Sequence, residues 1–313
     1  LKNSLSKLGI NSFTSDLIEN SIDGEVCFDN IKPSKSDNYK ILILLESKAV
    51  FPNLYNKEFL KGYNLVFTYD NFLVDNNLIY KLNYSYYLDF NSSIIGFKNK
   101  KFLCNISSNK FSSFYSELYS ERRKVIKYFN QKHPTKFDLY GFGWDLFLDN
   151  DSMYNLSKFL NDYRILRYGL KIFLKTFKTL AYKKLEVYNG SIASKYKVLM
   201  NYKFSICFEN YYNEDGYITE KIFDCFKCKV IPIYYGYKNI KNLIPNDSFI
   251  DYRDFNSIDS LHNYLVNISE EDYTNYLLNA QEFLKSNLAN SFNAKENAKR
   301  VSNIIYDKIN NKF

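Results

Sequence analysis

The chain has 313 residues with 46% hydrophobic content, 10 Gly and 5 Pro, which suits two ordinary domains with real cores and speaks against a low-complexity chain. Lys and Arg number 42 against 34 Asp and Glu, a net charge of +8; this balance fits anionic ligands, a membrane surface or nucleic acid, and equally ordinary surface lysine. Five scattered cysteines and two histidines, His133 and His262, argue against a disulfide framework, a zinc site or a histidine-based triad, and no apolar run reaches the roughly 18–20 residues that span a bilayer.

Ile41 to Leu45 has the unbroken aliphatic character of a strand buried on both faces, and it ends at Glu46-Ser47. Leu65 to Tyr69 is a second such strand, ending at Asp70. Carboxylates at the carboxyl ends of strands stand where open α/β sheets hold ligands. Tyr86 to Lys101 is polar and reads as a link between two halves, so the domains are expected at 1–98 and 99–313. Phe102 to Ile106 opens the second α/β unit. A helix follows with Glu121, Arg122, Arg123 and Lys124 ahead of Val125, Ile126 and Phe129, then a strand over Phe137 to Gly141. Gly141-Phe142-Gly143 lacks the spacing of a dinucleotide fingerprint.

Asn155 to Tyr188 reads as a long helix with Arg164, Arg167, Lys171, Lys175 and Lys178 on one face. A solvated surface helix is the simpler account of that face; an anionic membrane surface is the functional one. The tail from Asn256 is helical. Ser269-Glu270-Glu271-Asp272 is a capped start, and Val301, Ile304, Ile305 and Ile309 line the last helix. The chain starts at Leu1, which leaves room for a leader or anchor before it.

The densest signal lies between two strands. Phe204-Ser205-Ile206-Cys207-Phe208 alternates and ends in Glu209; Val230 to Tyr235 is the next strand and ends at Gly236. Between them come Asn210 and Tyr217, a turn at Gly216, an N-cap at Thr219, and a helix opening on Glu220 and Lys221. A helix N-terminus favours anions through its free N–H groups and dipole. A lysine and a hydroxyl-reading glutamate in that place suit a nucleoside diphosphate with its ribose. Taken singly, Glu220 and Lys221 fit equally a dipole-matched carboxylate and a surface lysine, and Arg122 a solvated helix face. Cys225-x-x-Cys228 is a lone pair on that helix, better read as buried cysteines than as a metal site.

Phe208-Glu209-Asn210, Tyr217-Ile218-Thr219-Glu220-Lys221 and Ile231-Pro232 through Gly236, in that order, resemble the donor-binding signature of family 10 glycosyltransferases, the α-1,3/1,4-fucosyltransferases. Ser120-Glu121-Arg122 and Asp138-Leu139-Tyr140-Gly141 upstream, and Ser248-Phe249-Ile250 with Asp254-Phe255 downstream, extend the resemblance from about Phe102 to Glu282. The resemblance implies an α/β GT-B fold: two Rossmann-like domains facing a cleft, with C-terminal helices packing back toward the N-terminal domain. It implies inverting transfer of L-fucose from GDP-fucose to a hydroxyl of a glycan acceptor such as lipopolysaccharide, in surface-glycan or protein glycosylation. Glu220 would bind the ribose, Asn210 and Tyr217 would contact the donor, and Lys221 and Arg122 would neutralise the diphosphate. Glu46 occupies the position of the general base; read from its residues alone it fits a capping or hinge carboxylate as well, and Asp70 is the next candidate. No cofactor or metal is implied beyond the nucleotide sugar. The protein is expected in the cytoplasm, membrane-associated at the inner face. Other readings are the same fold with another nucleotide sugar, a non-catalytic nucleotide-binding protein, and a nucleic-acid-binding protein, which the dispersed charge disfavours.

Overall fold

The computed structural model describes residues 1–15, 22–29, 31–34, 37–88, 96–148, 152, 154–156 and 182–310. Two compact units divide it: Leu1–Asp89, Glu214–Glu220 and Leu284–Phe313 form one, and Phe90–Asn213 with Lys221–Phe283 the other. The chain thus returns to the first unit twice after leaving it, where the sequence suggests a single boundary at 98/99.

In the first unit, strands β1 (Gly24–Phe28), β2 (Tyr39–Leu44), β3 (Leu65–Thr68) and β4 (Ile79–Lys81) lie side by side in chain order, all parallel. The period of two along β2 sorts its aliphatic run between two cores. Ile41 and Ile43 pack with Leu65, Phe67, Val301 and Ile305, while Leu42 and Leu44 pack with Leu60, Tyr63, Val66 and Ile79. Both faces are therefore covered, which explains why the strand reads as a continuous apolar run. The last helix, residues Ala294–Asn310, supplies Val301 and Ile305, so the C-terminal helix packs on this N-terminal sheet as the resemblance implies.

Five described strands form the main sheet of the second unit: β5 (Lys101–Ile106), β6 (Phe137–Tyr140), β9 (Tyr202–Asn213), β10 (Ile231–Tyr237) and β11 (Ile250–Asp251). Their order across the sheet is β11-β10-β9-β5-β6, and all pairs are parallel. A small antiparallel pair, β7 (Phe147–Leu148) with β8 (Tyr182–Lys183), lies outside this sheet. Helices α3 (Tyr119–Lys132), α4 (Lys195–Leu199), α5 (Glu220–Lys227), α6 (Ile258–Asn267) and α7 (Glu270–Lys285) connect or follow the strands; α1 (Lys2–Ser6) and α2 (Lys57–Leu60) belong to the first unit, as does α8, the helix Ala294–Asn310. Numbered from the start of the unit, the order is 2-1-3-4-5, a doubly wound sheet whose direction of winding reverses between β5 and β9. Ligands of such sheets bind outside the carboxyl ends of the strands at that reversal.

Two expectations need correction. Tyr182–Lys183 is a strand and 184–188 carries no helix, so the helix expected over 155–188 does not run to its end. The basic face at Arg164, Arg167, Lys171, Lys175 and Lys178 lies outside the described residues. Strand β9 also continues through Asn210 to Asn213 instead of stopping at Glu209. Its extension is paired on both sides: the Leu118 N–H donates to Asn210 O (2.9 Å) and the Tyr212 N–H to Ser116 O (2.8 Å), while Tyr237 of β10 lies opposite Asn213. Cys225 and Cys228 are free and buried, and no helix among the described residues is long and apolar enough to cross a membrane.

Candidate active site

The reversal between β5 and β9 holds a cavity. Its wall includes Asn105 and Ser107 from the end of β5, Ser205 to Phe208 of β9, and three cations, Arg122 of α3, Lys195 of α4 and Lys221 of α5. Among the described residues, no carboxylate lines it. Helix α5 begins at Glu220, directly after Thr219, so Lys221 stands in its first turn, where free N–H groups add to the positive field.

Each cation has an internal partner. Lys221 Nζ sits 2.9 Å from Glu209 Oε2, with Glu209 fully buried and a quarter of the Lys221 side chain exposed. Gly236 of β10 makes room for that glutamate, because a Cβ there would lie 2.5 Å from Glu209 Cγ. Lys195 Nζ sits 2.5 Å from Asp224 Oδ2. Arg122 is buried and donates from Nη2 to the carbonyls of Phe208 (2.8 Å) and Glu209 (3.3 Å), while its buried Nε has no hydrogen-bond partner among the described residues. Burial draws the Arg122 pKa down, opposed by Tyr119 and Glu209. The cavity is narrow, about 30 Å³, room for a water or two. A diphosphate enters only if a lysine swings from its carboxylate toward the ligand.

Glu46, Tyr217 and Glu220 belong to the first unit. Glu46 follows β2 in a turn that Asp29 fastens by accepting the N–H groups of Leu45 (2.7 Å) and Glu46 (2.8 Å) on Oδ1. Glu46 Oε1 accepts the Ser47 N–H (2.7 Å) and, at 3.4 Å, the Tyr217 hydroxyl. Tyr217 is buried, its ring 4.9 Å from that of Tyr69. Tyr84 lies within reach of Glu220 and Glu46; burial raises its pKa, and both carboxylates add to the rise. Gly216, at φ +98°, crosses where a Cβ would meet Asn71, Lys81 and the Tyr69 carbonyl at 2.8–3.1 Å, so the turn requires glycine.

Asp70 is committed elsewhere. Lys48 Nζ bridges Asp70 Oδ2 (2.6 Å) and Asp215 Oδ2 (2.8 Å), and both carboxylates are buried. The Asn71 N–H donates to Asp215 O (2.8 Å). Lys81 donates to the Tyr69 carbonyl and to Asn71 Oδ1 (2.6 Å), and burial lowers its pKa to about 8. Lys48 and Lys81 balance Asp70 and Asp215, a cluster that fastens residues 214–220 to the first unit.

The structure thus brings Arg122 and Lys221 to one cavity, with Asn210 on the same strand as Glu209, and it brings Tyr217 and Glu220 to the neighbourhood of Glu46 within the first unit. Sequence reasoning missed Lys195 and the pairing role of Glu209. A carboxylate at the end of an apolar alternating strand is the signal for the latter, since a buried charge needs a partner. Lys195 carries only the helix-start signal of Ser194, whose Oγ accepts the Lys197 N–H (3.4 Å). No group of three or more His, Cys, Asp or Glu side chains that could hold a metal occurs among the described residues.

Residues 172–302 match the family model described as glycosyltransferase family 10 (fucosyltransferase), C-terminal. The alpha-(1,3)-fucosyltransferase FucT of Helicobacter pylori is 36% identical over 75 residues, 24% of this chain and 16% of that protein. The 4-galactosyl-N-acetylglucosaminide 3-alpha-L-fucosyltransferase 9 of Mus musculus is 40% identical over 72 residues, 22% of this chain and 20% of its own length. The matched stretch therefore spans a fifth or less of these curated relatives. Among solved structures, Anabaena Alr3699/HepE in complex with UDP-glucose superposes with a TM-score of 0.51 at 10% identity, covering 86% of this chain and 72% of that one. That likeness concerns the fold, which is α/β with two parallel sheets, the GT-B class. The likeness to glycosyltransferase family 10 (fucosyltransferase) thus rests on residues 172–302, less than half of the chain.

Proposed function

We propose that the protein is an inverting glycosyltransferase that moves L-fucose from GDP-fucose to a hydroxyl of a glycan acceptor, a lipopolysaccharide-type surface glycan or its precursor. The observation that carries this reading is the cavity walled by Arg122, Lys195 and Lys221, at the winding reversal of a sheet whose strands β9 to β11 fall within the family match.

In this reading the acceptor oxygen attacks the anomeric carbon as its bond to the β-phosphate oxygen breaks, and GDP departs. Charge builds on that leaving phosphate. Arg122 and Lys221 meet it there, so their contacts strengthen in the transition state. Each charge-assisted contact is worth about 1.5–3 kcal/mol, or roughly 10- to 150-fold in rate when felt mainly in the transition state. Glu220 reads the ribose hydroxyls, Asn210 and Tyr217 contact the donor, and Glu46 takes the acceptor proton. The cations suffice to stabilise the leaving group, so transfer is expected to persist in EDTA. Cytoplasmic residence, peripheral on the inner membrane face through Arg164, Arg167, Lys171, Lys175 and Lys178, belongs to the same reading; co-sedimentation insensitive to the anionic lipid content of vesicles would remove it.

The test is a panel of nucleotide sugars with the purified protein. Turnover with GDP-fucose, and a product of inverted anomeric configuration by NMR, supports the reading. Turnover with a different donor, or tight GDP binding without transfer, overturns it.

A further inference from the structure

A second cavity, of about 470 Å³, opens in the second unit between α6, α7 and the loop before β11. Its volume lies within the ~300–1,000 Å³ range of small-molecule sites. Helix α7 lines it with Asp272, Asn275, Tyr276 and Asn279, at spacings that place all four on one face. From α6 come Tyr264 and Asn267, and Asp247 comes from the loop. Among the described residues, no lysine or arginine lines it.

Tyr264, Tyr276, Asn279 and Asp272 are held in position. The Tyr264 and Tyr276 hydroxyls are 2.9 Å apart, and the Phe255 ring braces Tyr264 at 5.3 Å. Asn279 Nδ2 donates to the Asp247 carbonyl (3.2 Å). Ser269 Oγ donates to Asp272 Oδ2 (2.7 Å). A site fixed before its ligand arrives loses less freedom on binding.

The chemistry of the wall selects the ligand. A pyranose has a C–H face and a rim of hydroxyls that both donate and accept. Tyrosine faces carry negative potential suited to the C–H face, each asparagine offers a donor and an acceptor, and carboxylates accept. Two carboxylates without a cation repel phosphorylated or acidic sugars. Two carboxylates also fall short of the groups of three that could hold a metal, of which none occurs among the described residues.

We propose that the cavity between α6 and α7 binds a neutral oligosaccharide. This goes beyond the transfer reading and requires no donor. Isothermal titration with N-acetyllactosamine and its sialylated counterpart, in EDTA and without nucleotide, tests it in wild type, Tyr264→Ala and Asn275→Ala. Tyr264 is 40% exposed and Asn275 is exposed, so both variants are expected to fold. The expected result is saturable binding of the neutral sugar, weakened about tenfold in either variant, and weaker binding of the sialylated one. No saturation up to about 10 mM, equal binding by wild type and both variants, or tighter binding of the sialylated sugar overturns the proposal. Because no donor is present, failure of transfer in a separate assay leaves this result untouched.

Discussion

Among the described residues, the cavity between β5 and β9 is walled by Arg122, Lys195 and Lys221 with no carboxylate, whereas the cavity between α6 and α7 is walled by Asp247 and Asp272 with no lysine or arginine. Both belong to the second unit. A pair of unit charges 4 Å apart interacts by about 4 kcal/mol at an effective dielectric near 20, so an anion that draws a lysine off its carboxylate is favoured in the first cavity and disfavoured in the second. The first cavity is also tight, with its lysines folded onto Glu209 and Asp224. The second is roomy, and Tyr264, Tyr276, Asn279 and Asp272 are fixed by their own contacts. One suits a ligand that displaces internal ion pairs, the other a ligand that meets a finished surface.

The largest expected effect breaks the first side of this contrast. Lys221→Ala is expected to lower transfer about 100-fold and to weaken GDP binding, while oligosaccharide affinity at the second cavity is unchanged; steady-state kinetics with calorimetry reads both. It also leaves Glu209 without its lysine. The expected loss of stability is about 2 kcal/mol, below the ~3–5 kcal/mol of a fully buried pair because Lys221 keeps a quarter of its side chain in solvent.

A charge cluster that serves only the fold should behave otherwise. Lys48→Ala strands Asp70 and Asp215, both buried. A destabilisation of about 3 kcal/mol in urea unfolding is expected, with GDP affinity of the folded protein preserved. A GDP affinity loss as large as that of Lys221→Ala would erase the distinction between the two kinds of buried charge.

Ionic strength gives a smaller but cleaner separation. GDP binding should weaken as salt shortens the Debye length from about 10 Å toward 3 Å, and neutral-sugar binding should stay flat. Equal salt slopes would show that wall charge does not govern ligand choice.

The smallest effect concerns pH. His262 is buried between Phe102, Phe129 and a stacked His133, 3.8 Å away between ring centroids. Burial lowers its pKa, with His133 and Lys136 adding to the shift and Asp259 opposing it. A base depressed in the folded state gives a contribution that is complete above the unfolded value near 6.5 and is lost as pH falls through the folded value. Melting from pH 7.5 to 5 should therefore show a decline that is shallower in His262→Phe.

Much of this was legible in the sequence, for particular reasons. Ile41 to Leu44 announced a doubly covered strand because no polar residue interrupts it, and Thr219 with Glu220 announced the start of α5. The end of β9 was not legible, because Asn210-Tyr211-Tyr212-Asn213 has loop-like composition and its hydrogen bonds come from residues 116–118 and from β10. Tyr182–Lys183 was misread as helix because its partner, Phe147–Leu148, is distant in sequence. Arg122 and Lys221 were joined by resemblance alone; the winding order β9-β5 is what brings them to one wall. The cavity between α6 and α7 gave no signal, since Asp272, Asn275 and Asn279 line a cavity only when the folded chain sets Tyr264 and Asp247 beside them.

The central claim is that Lys221 stabilises the diphosphate leaving group of GDP-fucose. Incubation of wild type and Lys221→Ala with GDP-fucose over a glycan array tests it directly. The account predicts fucosylated product from the wild type and about 100-fold less from the variant at equal folded protein; equal product from both would contradict it.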